Sequence, residues 1–191
     1  MNSKVEIMGV LNITDNSFYD GGKFNSPKAS IDHAKKLIND GADIIDIGAE
    51  SSKPGSSPVS SKDQIRKIEP LVEALRDFSN IPISIDTRSS KVISHLLKYE
   101  INIVNDISSL EDKDLLDIIK SNRLSISLMH MLGTPKTMQI NPIYDNVVDD
   151  IYGYLKNRAQ LCINHGIDKS NIIIDPGFGF GKTLDHNYKI L

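Results

Sequence analysis

The sequence has no tryptophan and one cysteine, Cys162, and aromatic residues fill only 6% of its 191 positions. A single cysteine excludes an internal disulfide framework. Because Cys162 falls in a helical segment, it reads as inert packing rather than as a reactive thiol. No basic run stands out and the formal net charge is −3, so neither nucleic acid nor an anionic membrane is indicated as a partner. No apolar stretch approaches the roughly 18 residues that span a bilayer. The opening MNSKVEIMGV lacks the layout of a secretory signal, which points to a cytoplasmic protein. There is no linker, low-complexity tract or short repeat. With 39% hydrophobic and 25% charged residues, the expectation is one domain over 1–191 with a real core.

What is present is alternation. Six short apolar runs, Val5–Leu11, Ile44–Gly48, Ile81–Ile85, Ile101–Val104, Ser125–Met129 and Ile172–Ile174, are rich in Ile and Val, as buried parallel strands are. Each ends in polar residues: Asn12, Asp46 with Glu50, Asp86, Asn105, Met129–His130 and Asp175. Between and after the runs lie helical patterns at Pro27–Asp40, Ser61–Phe78, Ser89–Tyr99, Asp112–Asn122, Ile143–His165 and Leu184–Leu191, with a possible kink at Pro70. Strand–helix alternation predicts a parallel α/β sheet whose strand ends carry the chemistry. An open twisted sheet and a closed (β/α)8 barrel both fit. Three features favour the barrel: the polar caps are spread over nearly all the strands, no G-x-G-x-x-G turn follows the first strand, and long polar loops follow the first two. Six of eight strand–helix units are then present.

The segment Asp175-Pro-Gly-Phe-Gly-Phe-Gly-Lys-Thr183 is not a phosphate loop, because a Walker motif needs glycine where Pro176 stands. It reads instead as a strand-end acid followed by glycines that let backbone and Phe180 approach a flat ligand. Asp86, Asn105 and Asp175 would suit a heterocycle with an amidine-like edge: carboxylates accept paired N–H bonds, and an amide both donates and accepts. Met129 offers a soft surface to a ring. Each residue alone could equally cap a turn. The histidines His33, His95, His165 and His186 show no metal-ligand spacing and read as structural or solvated.

The chain carries in order Met8-Gly-Val-Leu-Asn-Ile-Thr14, Ser17-Phe-Tyr-Asp-Gly-Gly22, Ile45-Asp-Ile-Gly-Ala-Glu-Ser-Ser-Lys-Pro-Gly55, Ser84-Ile-Asp-Thr87, Val104-Asn-Asp-Ile107, Leu128-Met-His-Met131, Gly133-Thr-Pro-Lys-Thr-Met-Gln139 and Asp175–Lys182 with His186-Asn-Tyr188. Taken together, these motifs resemble the dihydropteroate synthase family of pterin-binding enzymes. The resemblance implies a (β/α)8 barrel of the pterin-binding type. It also implies condensation of 6-hydroxymethyl-7,8-dihydropterin diphosphate with p-aminobenzoate to 7,8-dihydropteroate and diphosphate. Under it Asp86, Asn105, Ile107, Met129, Asp175 and Phe180 hold the pterin. Asn12 helps bind Mg2+, Phe18 and Asp20 cover p-aminobenzoate and face the developing cation, and Ser52, Lys53 and Pro54 contact p-aminobenzoate and phosphate. Asn12, Asp20 and Lys53 are the catalytic candidates.

The chain departs from the family at Asp15 and Asn16, where Pro-Asp is usual, at Ser52, where Thr is usual, and at Lys53, where Arg is usual. Lysine keeps the charge but loses the bidentate fork. The family's Ser-Arg-Lys and Arg-x-His motifs, and the late helices through which it commonly dimerises, are expected beyond Leu191. Two other readings stay open: a non-catalytic pterin-binding subunit, and a pterin-dependent methyltransferase with a corrinoid partner. The loop signatures Ser17–Gly22 and Ser51–Gly55 speak against the latter.

Overall fold

The computed structural model describes residues 5–13 and 27–191. Strand β1 (Met8–Asn12) is followed by helix α1 (Pro27–Asn39), β2 (Ile44–Gly48), α2 (Ser61–Phe78), β3 (Ile83–Asp86) and α3 (Ser90–Leu96). Then come β4 (Ile103–Asp106), α4 (Asp114–Asn122), β5 (Ser125–Met129), α5 (Val147–His165), β6 (Ile172–Asp175) and α6 (Leu184–Ile190). The α/β class read from the sequence is the class observed.

The chain forms two compact units. The first comprises Met1–Ser51, Val59–Thr87 and Lys91–Ile103; the second comprises Ser52–Pro58, Arg88–Ser90 and Val104–Leu191. In the first, β1, β2 and β3 pair in parallel in that order, with Val10 opposite Asp46 and Asp46 opposite Ser84. Ile45, Ile47, Ile83 and Ile85 are fully buried. Burial of each such side chain contributes about 1.5–3 kcal/mol. Ala34 of α1 and Ile68, Val72 and Leu75 of α2 are buried as well, one helical face per helix. In the second unit β5 pairs in parallel with β6, setting Met129 opposite Asp175. Ile119, Ile126, Leu128, Leu155 and Cys162 are buried there. Burial also pushes the Cys162 thiol up to about 11, so it is an inert packing group.

Several boundaries differ from the sequence reading. The third and fourth strands begin two residues later than the apolar runs. Pro82 has no N–H to give a ladder, although its carbonyl accepts from Ile45 N–H at 3.0 Å, and the Asn102 side chain accepts from Ile83 N–H at 2.9 Å, so the regular strands start just after both. Asp86 and Asn105 are therefore inside the last rungs of their strands rather than beyond them. Helix α3 ends at Leu96, and Leu97–Tyr99 tightens into a 3-10 turn stopped by Glu100 at φ 54°. Helix α5 starts at Val147 because Asn146 caps it, accepting from Val148 and Asp149 N–H. Helix α2 runs unbroken through Pro70. No helix among the described residues is long and apolar enough to cross a membrane.

Candidate functional site

In the first unit, register alone gathers the candidate residues. Asn12, Gly48 and Asp86 occupy one rung at the ends of β1, β2 and β3. Gly48 is what lets its neighbours meet. A Cβ at that position would stand 3.0 Å from Asp86 Oδ2 and 3.2 Å from Asn12 Oδ1. The missing side chain therefore leaves room for a carboxylate and an amide oxygen to lean over β2. Asp86 is half-buried and Asn12 exposed. Glu50, a strand-end acid in the sequence, has a structural task. It accepts from Gln64 Nε2 at 3.0 Å and Val59 N–H at 3.3 Å, while Thr87 Oγ1 donates to Gln64 Oε1 at 2.7 Å. That network holds the return of the second loop into α2.

In the second unit, Asp175 ends β6 and accepts from Gly177 N–H at 2.7 Å, while its own carbonyl accepts from His130 N–H at 3.0 Å. Met129, its partner across the strands, is 3% exposed. Ile107 is buried and Asn105 half-buried. The residue after Asn105, Asp106, is fully buried and accepts from Ser108 N–H, Ser108 Oγ and Leu110 N–H at 2.8, 2.6 and 2.6 Å. Burial raises its carboxyl above the usual range despite these bonds. It folds the turn in which Ser109 and Leu110 take positive φ, and Ser109 Oγ then donates to Met129 O at 2.7 Å. Phe180 is half-buried, its N–H closing a turn onto Gly177 O at 3.1 Å.

The glycines of Asp175–Lys182 make their close approaches to the protein itself. A Cβ on Gly177 would lie 2.2 Å from His130 O, and one on Gly181 would lie 2.7 Å from Leu132 Cβ. Both glycines have positive φ, 68° and 65°. The loop is thereby seated on the chain that leaves β5. The second loop also has an anchor in this unit, Gly55 N–H to Pro135 O at 3.0 Å, leaving Lys53 and Pro54 exposed and Ser52 half-buried. Phe18 and Asp20, like the departures Asp15 and Asn16, lie outside the described residues.

Two residues of this unit have no role in the sequence reading, although His130 counts among the polar strand ends. His130 is 6% exposed and Lys182 is 4% exposed, with Lys182 Nζ 3.1 Å from His130 Nδ1. Burial, and then the Lys182 ammonium, lower His130 to about 4; burial lowers Lys182 to about 8. The available signal was position: His130 follows a predicted site residue, and Lys182 closes the glycine run. His186 forms a reciprocal capping box with Thr183, and His95 and His165 bond Glu69 and Asp117, so three of the histidines read as structural or solvated have local protein partners. Among the described residues no set of three or more His, Cys, Asp or Glu side chains is gathered to hold a metal.

The family model described as pterin binding enzyme matches residues 8–191. The dihydropteroate synthase of Escherichia coli (strain K12) is 42% identical over 189 residues, covering 99% of this chain and 67% of the relative. Among solved structures, the Yersinia pestis dihydropteroate synthase with a sulfonamide drug aligns at a TM-score of 0.91 and 39% identity, over 97% of this chain and 67% of that one. The Xanthomonas albilineans dihydropteroate synthase with 4-aminobenzoic acid aligns at 0.87 and 34% identity, over 97% of this chain and 66% of that one. The likeness puts the six strand–helix units in the barrel class expected from the motifs. The chain spans about two thirds of the length of these relatives.

Proposed function

The chain belongs to the pterin-binding enzyme family, and we propose that it works as the dihydropteroate synthases do, as a transferase of folate synthesis joining 6-hydroxymethyl-7,8-dihydropterin diphosphate to p-aminobenzoate. The observation that carries this reading is 42% identity to a dihydropteroate synthase across 99% of the chain. The solved relative holding 4-aminobenzoic acid, the acceptor amine of the reaction, supports it further.

On this reading Asp86, Asn105 and Asp175 bond the polar edge of the pterin, and Ile107, Met129 and Phe180 pack about its ring. The bond from the pterin methylene to the diphosphate oxygen breaks, and the electron pair leaves with the diphosphate. The amine nitrogen of p-aminobenzoate attacks the resulting cation and then loses a proton. As the family resemblance implies, Phe18 and Asp20 would cover p-aminobenzoate and face that cation, and Ser52, Lys53 and Pro54 would contact p-aminobenzoate and phosphate. The side-chain oxygen of Asn12 is a hard donor that would help hold Mg2+. When bound, Mg2+ neutralises charge on the leaving group. A homodimer is carried over from the family resemblance, and a cytoplasmic setting from the sequence reading above.

The test is incorporation of radiolabelled p-aminobenzoate into dihydropteroate by the protein, with dihydropterin diphosphate and Mg2+ supplied. Turnover that EDTA abolishes is expected. Absence of p-aminobenzoate binding in the presence of diphosphate, with methyltetrahydrofolate binding intact, would overturn the reading in favour of a methyltransferase.

A further inference from the structure

We propose that Lys182 is a positioning residue for pterin binding, its ammonium pinning the Asp175–Lys182 loop to the end of β5 so that Asp175 and Phe180 are held in place. The inference rests on the pterin-binding reading above and names a residue that the motifs leave without a role.

An ammonium has three N–H donors and no acceptor. Lys182 Nζ has three acceptors within reach: Phe180 O at 2.9 Å, His130 Nδ1 at 3.1 Å and His130 O at 3.2 Å. Donors and acceptors match in number, which is what a buried cation needs to offset the loss of water. One of the three belongs to Phe180, at the middle of the loop; the other two belong to the residue that follows Met129. Lys182 therefore ties the ring-packing residue directly to the strand end that Asp175 also touches through its own carbonyl.

The rest of the loop is fastened in the same manner. Tyr144 Oη donates to Gly181 O at 2.7 Å, the Gln139 amide donates to Gly179 O, and Asn187 Oδ1 accepts from Gly179 N–H at 2.8 Å. Two of these side-chain bonds fall on Gly179 and one on Gly181, on either side of the Phe180 carbonyl that Lys182 holds. His130 is itself braced by Tyr154 edge-on at 5.1 Å and by Tyr144 at 5.9 Å between ring centroids. An ammonium facing Nδ1 also fixes the imidazole: Nδ1 must accept, so the ring proton sits on Nε2.

The inference is tested in two ways on the protein. Nitrogen NMR of His130 at pH 7, in the unsubstituted chain, is expected to show an unprotonated Nδ1 and a protonated Nε2; a proton on Nδ1 would overturn the clamp without any substitution. Binding of dihydropterin diphosphate is then measured for Lys182→Met, with folding followed by circular dichroism. A rise of tenfold or more in the pterin Kd is expected, together with appearance of the other His130 tautomer. Lys182→Met that binds pterin within twofold of the unsubstituted protein would sink the proposal. Failure of the unsubstituted protein to bind pterin would instead strike the functional reading itself.

Discussion

The two strand-end carboxylates Asp86 and Asp175 are set in place by different means. Asp86 is located by the sheet: it shares a rung with Gly48 and Asn12, and a glycine on the middle strand leaves room for it. Asp175 is located by a loop: glycines with positive φ fold back on the strand end, and a buried lysine, a buried histidine and a tyrosine hold the carbonyls. A sheet positions a side chain by pairing that exists for other reasons, whereas a loop needs dedicated contacts, each of which can be removed singly. The second region should therefore be the more fragile of the two.

The sharpest way to expose that difference is Gly177→Ala. The added Cβ would stand 2.2 Å from His130 O, at a φ of 68° that L side chains rarely adopt. Neither the carbonyl nor the turn can move without breaking the bond from His130 N–H to Asp175 O. A loss of about 3 kcal/mol or more is expected, read as a fall in Tm of roughly 6–12 °C for a chain of this size. A shift under about 2 °C would mean that the loop is less constrained than its geometry implies.

Acid should separate the regions next. His130 is held near 4 against an ordinary 6.5, chiefly by burial. Between those values the folded protein binds fewer protons than the unfolded chain. The histidine's share of stability is therefore whole above about 6.5 and is lost as pH falls towards 4, about 2–3 kcal/mol in all. Denaturant midpoints from pH 7 to 4.5 check this. His130→Asn, which keeps an oxygen for Lys182, should flatten that limb; an unchanged acid slope in the variant would remove His130 as its source.

A milder probe enters the first region at Gly48. Gly48→Ala would bring a Cβ to 3.0 Å from Asp86 Oδ2 and 3.2 Å from Asp86 Cβ, contacts that Asp86 relieves by turning its carboxylate and shifting by a few tenths of an ångström. Stability should fall by about 1 kcal/mol. Affinity for the pterin diphosphate should fall about tenfold, because the residue that yields is the one meant to bind it. Equal loss of stability and unaltered affinity would mean that Asp86 tolerates displacement.

The same contrast explains what could be read in the chain. Apolar runs and strand-end Asp86, Asn105 and Asp175 are local patterns of residue type, and a sequence displays them, whereas the Asn146 cap does not stand out and the pattern places that helix start at Ile143. The two-residue delay in the start of β3 and β4 was hidden because it depends on Asn102 finding the backbone of Ile83, a pairing 19 residues apart. Lys182 and His130 are 52 residues apart, and neither carries a mark of burial in a polar stretch. Their partnership arises only when the glycines bring the loop to β5. The glycines themselves were recognised as allowing a close approach, but what they approach is the protein.

The smallest expected effect lies where the chain departs from its family without touching either anchoring device. Lys53 is exposed; its carbonyl accepts from Ser56 N–H at 3.1 Å, and Gly55 N–H donates to Pro135 O, so the backbone fixes this turn. Lys53→Arg should thus leave the Tm within about 1 °C, since nothing buried changes. A guanidinium offers a planar fork to a carboxylate or phosphate where an ammonium offers a point charge. If Lys53 contacts p-aminobenzoate or diphosphate, the substitution should lower the KM for p-aminobenzoate about threefold, a gain worth roughly 0.6 kcal/mol, with kcat little altered. A KM that does not move would place the second loop's contribution elsewhere, on Ser52 or on the backbone that Gly55 secures, and would leave the lysine as a tolerated change on a solvated turn.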